Sequence, residues 1–336
     1  MVFLLLHFRL TDARAADKTD VVVMSNGDRL VGEIKELEAG QLLFKASYMS
    51  ASVNLDWTKV TEIQSIRYFR VEFEDGLLES GEISKVPTES DFTVKSLNIT
   101  TRRNVLDVVS IQPLEGSFIH RLRGSADIGL TVNPEGDQTQ WNANLSAEYP
   151  AEHFRMFMRA SSLFSSQEAT DNTVRNSLSF AHYQFMSRRW FMAGLANFLQ
   201  DSELNLDLRA SLAGAPGHYF IHTNRTGLAV LGGIAATHEK YFDTTAPANG
   251  TNAEALGGVQ FYSARFARSQ INTGIYYYAG LTQRGRRRVD WESSVSWKFW
   301  KDVYWKITVL ENFDSRPPEG AKRNDFSLTT SFGLTF

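Results

Sequence analysis

The sequence predicts an all-β protein, a small N-terminal β domain followed by an antiparallel transmembrane barrel of about twelve strands. Three observations carry this. From Gly116 onward the chain is written in long segments where apolar and polar residues alternate, which is the mark of a two-faced strand. The connections between those segments alternate between long and short, as they do when one rim of a barrel carries loops and the other carries turns. Trp and Tyr gather towards segment ends (Trp190, Trp291, Trp297, Trp300, Tyr304, Trp305), where amphipathic rings settle at a membrane interface.

Composition narrows the function classes. The 336 residues contain no cysteine, so disulfides, thiol nucleophiles and Cys-type zinc sites are excluded. A net charge of -3 selects no partner. Residues 1–16, MVFLLLHFRLTDARAA, resemble a secretory signal: Val2 to Phe8 form an apolar core, and Ala13-Arg14-Ala15 before Ala16 is an A-x-A cleavage site. The basic residues that usually precede such a core are missing, so either the start lies upstream or the segment is a disordered N-terminus. Export from the cytoplasm is the expectation.

Residues 17–115 are expected to form a periplasmic domain built twice from one small, bent β unit. VVVMSNGDRLVGEI (21–34) is answered by RVEFEDGLLESGEI (70–83), with Asn26-Gly27 and Asp75-Gly76 as hairpin turns and Gly-Glu-Ile at equal distance behind them. The pattern resembles the Sm-like and SH3-like small barrels. Some such modules bind RNA, but Lys18 to Glu115 hold 11 basic and 16 acidic residues, and 11 minus 16 is -5. A phosphate-binding surface needs the opposite sign, so no nucleic-acid partner is expected, and a periplasmic interaction module fits better.

Residues 116–336 are expected to form the barrel, with strands near 118–132, 137–149, 152–165, 172–186, 189–201, 204–222, 225–238, 252–264, 269–283, 286–299, 302–314 and 323–336. SQEATDNT, KYFDTTAPANGTN and DSRPPEGAKR read as loops on one rim, and PAE, SRR and KD as turns on the other. In the last strand Phe326, Leu328, Phe332, Leu334 and Phe336 share the apolar face. They are expected to face lipid and to present the strand to the barrel-assembly machinery, with the seam closed by the strand starting near Phe118.

The N-terminal NGDRLVGEI, the spacing of Trp57, Val60 and Ile63, the alternating C-terminal two-thirds and the ending RNDFSLTTSFGLTF are together similar to the salt-induced outer-membrane proteins, a bacterial family of unknown function. The resemblance implies a porin-like β-barrel in the outer membrane of a Gram-negative cell. It brings no catalytic residue and no cofactor.

Function should then reside in the lumen. The apolar faces turn Arg121, Arg123, Asp127, Arg155, Arg159, Arg175, Asp207, Arg209, Asp290, Glu292, Lys298 and Lys306 inward. An outward Arg at the bilayer midplane costs about 2–4 kcal/mol, so inward is the physical default. Such charges can select solutes, or they can pair across the lumen and brace it. About eight strands give a filled interior and about sixteen an aqueous channel, so twelve allows a narrow channel or a plugged one.

The chain is not expected to be an enzyme: no G-x-S-x-G elbow occurs. A hydrolase built from His182 and a nearby serine is the alternative from another class, since such sites are recognised by geometry. His218 and His222 would share one strand face, but no further metal ligands accompany them. A surface receptor or adhesin is a third class, with the 239–253 and 314–322 loops as its contact surface.

Overall fold

The computed structural model describes residues 20–86, 91–97, 99–114, 121–133, 138–167, 170–186, 188–242, 250–266, 268–300, 303–317 and 322–335. The expected signal segment and Phe336 lie outside the described residues, as does the expected strand start near Phe118. Ahead of the barrel come β1 (Asp20–Met24), β2 (Arg29–Glu38), β3 (Gln41–Ala46), β4 (Val53–Asp56), β5 (Val60–Phe73), β6 (Leu78–Lys85), β7 (Asp91–Lys95), β8 (Thr100–Asn104) and β9 (Val108–Pro113).

The internal repeat is visible in detail. Gly27 and Gly76 take positive φ in the two equivalent turns. Gly32 and Gly81 occupy the same place in the next strand of each unit. A Cβ there would sit 2.5 Å from the Lys45 carbonyl oxygen and 2.3 Å from that of Lys95, so only glycine lets the neighbouring strand approach. Each unit ends in one 3-10 turn capped from the preceding side chain, Asp56 accepting from the Thr58 N–H and Asn104 from the Leu106 N–H.

The units are nonetheless not two separate modules. β5 pairs with β1 through its first half and with β9 through its second, and all nine strands form one sheet. The sheet curls around a single core that includes Phe44, Trp57, Phe69, Val71, Phe73, Phe92 and Ile111. The Trp57 indole N–H donates to the Val105 carbonyl at 3.2 Å and so ties one unit to the other. Full burial of each large apolar side chain contributes roughly 1.5–3 kcal/mol, and one shared core collects more of it than two small ones could.

The barrel follows: β10 (Arg123–Asn133), β11 (Gln138–Pro150), β12 (Phe154–Gln167), β13 (Thr170–Phe185), β14 (Trp190–Asp201), β15 (Leu206–His222), β16 (Thr226–Tyr241), β17 (Gly250–Phe266), β18 (Ser269–Gly280), β19 (Arg287–Trp300), β20 (Val303–Asp314) and β21 (Asn324–Thr335). These twelve strands close in sequence order, each antiparallel to the next, as the alternation predicts.

The expected long loop at SQEATDNT is replaced by strand, because β12 and β13 extend until only 168–169 separate them. Longer connections stand at 242–249, 281–286 and 315–323, all on one rim; 151–153 and 223–225 lie on the other.

The outer surface is apolar over most of its height. Leu145, Phe164, Phe180, Phe198, Leu212, Ile234, Val259, Ile275, Val295, Leu328 and Phe332 are all exposed. A belt of this extent far exceeds the apolar patches that water-soluble proteins carry, and it suits a bilayer. Trp190, Trp297, Trp300 and Trp305 stand exposed close to the short-turn rim. Tyr304 does not join them: it turns inward and donates its hydroxyl to Asp127 at 3.0 Å.

Candidate functional site: a capped lumen crossed by ion pairs

The second half of β5 and the adjoining β9 are buried on both faces. Phe69, Val71, Phe73 and Ile111 point into the domain core, while Arg70, Glu72, Ser110 and Gln112 on the opposite face are equally hidden from water. Burial of a polar sheet face requires a cover, and the short-turn mouth of the barrel supplies it. Arg155 of β12 donates to Glu72 at 3.4 Å and to Ser110 at 3.5 Å. His222 of β15 approaches the other Glu72 oxygen at 3.1 Å. The Arg70 guanidinium lies over the Phe185 ring at 5.2 Å.

Further contacts fasten the rim. Arg123 pairs with Glu36 and, at 3.0 Å, with Glu38. Arg225 reaches Asp56 at 3.0 Å, and the Arg189 Nε donates to the Glu74 carbonyl at 2.5 Å. Four barrel arginines thus hold an N-terminal domain whose own charge is negative. Burial alone would raise the Glu72 carboxyl, but Arg155, the His222 hydrogen bond and Arg70 outweigh it and hold Glu72 well below the usual carboxylate range. For Glu36 the balance falls the other way: burial, with Glu38 and Glu148 nearby, overcomes Arg123 and pushes its carboxyl up to about 7.

Above the cap the lumen is lined by rings. Phe157, Tyr183, Phe191, Tyr219 and His222 follow one another with successive centroids 5.7, 5.5, 5.0 and 4.5 Å apart, ending on the histidine that holds Glu72. Gln260 donates to the hydroxyls of Tyr183 and Tyr276 at 2.8 and 2.7 Å. At this depth Arg159 and Glu292 face each other across the barrel at 3.4 Å, and their side chains remain 59% and 39% accessible. Open space therefore persists in the middle of the lumen.

Towards the longer loops the lumen is crossed by buried ion pairs. Glu239 receives Arg209 at 2.6 Å and Arg286 at 2.6 Å, and both arginines also reach Asp314. Arg288 holds Glu254 at 2.5 Å and lies over the Tyr278 ring at 4.5 Å. Arg175 pairs with Asp325 and lies 3.7 Å from Asp201. Lower down, Asp127 gathers Lys306 at 3.2 Å, Tyr304 at 3.0 Å and Asn144 at 2.6 Å.

Of the sequence-predicted lumen residues, Asp127, Arg159, Arg175, Arg209, Glu292 and Lys306 enter these lumen contacts, and Arg123 and Arg155 belong to the clasp. Asp290 and Lys298 lie on the same inward alternation of β19 as buried Ser294. Two are placed elsewhere. Asp207 sits at a bulge between Leu206 and Leu208 and bonds Lys240 at 2.5 Å, a side chain 61% exposed on the outer face. One extra residue in a strand inverts the facing of what precedes it. Arg121 precedes the first barrel strand and lies over the Tyr149 ring at 5.1 Å.

A second bulge, between Tyr219 and Ile221, separates His218 from His222. His222 is buried at the cap, while His218 packs outside between Trp190 and Phe220, so the two do not share a face. Among the described residues no three His, Asp or Glu side chains are placed to hold a metal. His182 is exposed and rests against the Phe154 ring at 5.0 Å.

Sequence reasoning missed Glu239, Glu254, Arg286 and Asp314, which lie close to strand ends where alternation is hardest to phase. Arg288 was within reach of it, sharing the parity of Asp290 and Glu292. Glu36, Glu72 and Asp56 carried no sequence signal beyond the domain's negative charge.

A closed antiparallel barrel with an apolar outer belt and a charged lumen is the architecture of a membrane-spanning β-barrel protein. The chain belongs to the family described as "Protein of unknown function, DUF481", whose model matches residues 127–336. Among curated proteins, none matches the chain.

Solved structures similar to it include the translocator domain of the autotransporter NalP from Neisseria meningitidis, at 12% identity and a TM-score of 0.38, covering 64% of this chain and 87% of that one. The NanC porin gives 7% identity and 0.39, covering 64% and 98%. An outer membrane channel from Pseudomonas putida F1 gives 8% and 0.39, covering 64% and 94%. These likenesses concern barrel shape and carry no argument about activity.

Proposed function

We propose that the protein is a non-enzymatic outer-membrane channel for small solutes, closed at its periplasmic mouth by its own N-terminal domain. The observation that carries this reading is the polar face of β5 and β9, buried only because it covers the short-turn mouth through Glu72, Arg155 and His222. A brace would need no such cover. The accessible Arg159–Glu292 pair lines space that a small solute could occupy once the cap moves.

The rim pairs of the clasp, Arg123 with Glu38 and Arg225 with Asp56, are partly exposed, so ionic strength loosens these while the buried Arg155–Glu72 pair is screened less; the reading therefore extends to a role in the envelope under salt or osmotic stress. The test is planar-bilayer conductance of the full chain against Arg123→Ala/Arg155→Ala. The expected result is a silent parent and discrete conductance steps in the variant. Silence of both, with the variant still showing heat-dependent mobility on a denaturing gel, removes the channel.

A further inference from the structure

One ion pair of the lumen is built unlike the others. In the loop-side pairs no side chain is more than 11% accessible, and in the pair of Lys306 with Asp127 the values are 21% and 2%. Arg159 and Glu292 meet at 3.4 Å with 59% and 39% of their side chains accessible. Asn272, next to buried Ser294 on the inward row, is exposed as well, so the space beside the pair is open. An accessible pair of this length braces little, whereas the buried pairs hold the wall.

Beside it stands a ring with a fixed place. Gly274 is the register partner of both Glu292 and Gln260. The Tyr276 ring lies against Gly274 and Gly258, where an added Cβ would come within 3.3 and 2.8 Å of it. Gln260 donates to the Tyr276 hydroxyl at 2.7 Å and to that of Tyr183 at 2.8 Å. One side of the ring is thus laid on backbone and its hydroxyl is pinned, while the side chain stays only half-buried. A ring held this way next to a carboxylate offers its electron-rich face to a cation.

These features select by charge. An anionic solute that took Arg159 would leave Glu292 without its partner, and a cationic solute that took Glu292 would strip Arg159 of its own. A solute with both charges gives each side chain a partner. We propose that the middle of the lumen is a binding site for small zwitterionic amino acids, with the carboxylate on Arg159 and the ammonium on Glu292 and the face of Tyr276. Both charged side chains are long and accessible, so they part to admit the solute, and one long contact is exchanged for two charge-assisted ones. The site deepens the channel reading and rests on its open lumen. Equilibrium binding needs no current, so a silent bilayer leaves the site standing, and a lumen without this selectivity leaves the channel standing.

The experiment is saturation-transfer NMR of the full chain in lipid nanodiscs near pH 7, with empty nanodiscs subtracted, using L-leucine, N-acetyl-L-leucine, L-leucinamide and glucose. It is repeated on the Arg123→Ala/Arg155→Ala chain. Leucine is expected to bind about tenfold more tightly than N-acetyl-leucine, which lacks the ammonium, and than leucinamide, which lacks the carboxylate. Glu292→Gln is expected to weaken leucine about tenfold and to abolish its advantage over N-acetyl-leucine while that over leucinamide remains; Arg159→Gln is expected to do the reverse. A pair that merely braced the wall would move neither preference.

Equal binding of leucine and its two singly charged analogues overturns the proposal, as does glucose binding as tightly as leucine, or no leucine bound by either chain. These comparisons are made on chains with Arg159 and Glu292 intact, so they decide even where a substitution there costs heat-dependent gel mobility. Where that mobility is kept, both preferences surviving in Glu292→Gln and Arg159→Gln overturns the assignment.

Discussion

The N-terminal sheet and the barrel are written in the same alternating code and read with opposite sign. In the sheet the apolar row turns inward, so Phe44, Trp57 and Phe92 meet in a dry core. In the barrel the apolar row turns outward, and Arg159, Arg209 and Glu239 face the interior. Alternation alone specifies two faces; the medium against each face decides which is which. The β5 and β9 strip belongs to neither case, because its outer face is polar and buried, and that is where the two halves of the molecule meet.

The largest effects should come from that strip and from the dry core. Arg155→Ala leaves the buried Glu72 with only His222 from the barrel and should weaken docking by about 3–5 kcal/mol, read as accelerated proteolysis or hydrogen exchange along β9. Unchanged protection there would mean that the polar face is covered by something else. Phe44→Ala should cost the N-terminal sheet about 3–5 kcal/mol in denaturant while the barrel melts as before. Loss of both together would erase the distinction between them.

A smaller effect separates neighbouring barrel residues. Val295→Arg, on the outer belt, should cost about 2–4 kcal/mol of barrel stability if it lies near the bilayer midplane. Lys298→Arg, on the inward row of the same strand, should change it by no more than about 0.5 kcal/mol, as surface substitutions do. Equal costs would refute the assigned facing.

The smallest effect is one of pH. Glu36 in the docked protein titrates at about 7, above its ordinary value, so the docked form holds more protons between those limits and docking weakens as pH rises through that window. Glu72 is displaced downward, so its contribution is present above the ordinary carboxylate range and is lost as pH falls below it. Docking should be tightest near pH 5, and Glu36→Gln should flatten only the upper limb, as measured by protease susceptibility of the linker between the domains across pH.

Much of this architecture was legible because a strand with a different medium on each face must alternate for its whole length. The repeat in the first domain was legible too, since Gly32 and Gly81 each answer the same steric demand. What escaped was what breaks periodicity or spans distance. Single-residue bulges at 206–208 and 219–221 inverted Asp207 and parted His218 from His222, and no local signal marks a bulge. The clasp pairs residues 85 and 83 apart, in Arg123 with Glu38 and Arg155 with Glu72, and sequence shows only the opposite charges of the two partners. The final strand reads as a fully paired seam, yet only four of its positions pair with β10.

A tether tests whether docking of the N-terminal sheet closes the barrel. Glu38 and Arg123 meet at 3.0 Å through two long side chains, and a direct disulfide requires Cβ atoms about 3.5–4.5 Å apart, so in Glu38→Cys/Arg123→Cys a bis-thiol crosslinker with a cleavable disulfide in its spacer bridges the two positions. Single-channel conductance is followed in about 1 M salt, where the screening length falls to about 3 Å. Crosslinked protein should stay silent, and reduction in the same bilayer should release conductance steps; equal conductance before and after reduction would show that docking does not close the barrel.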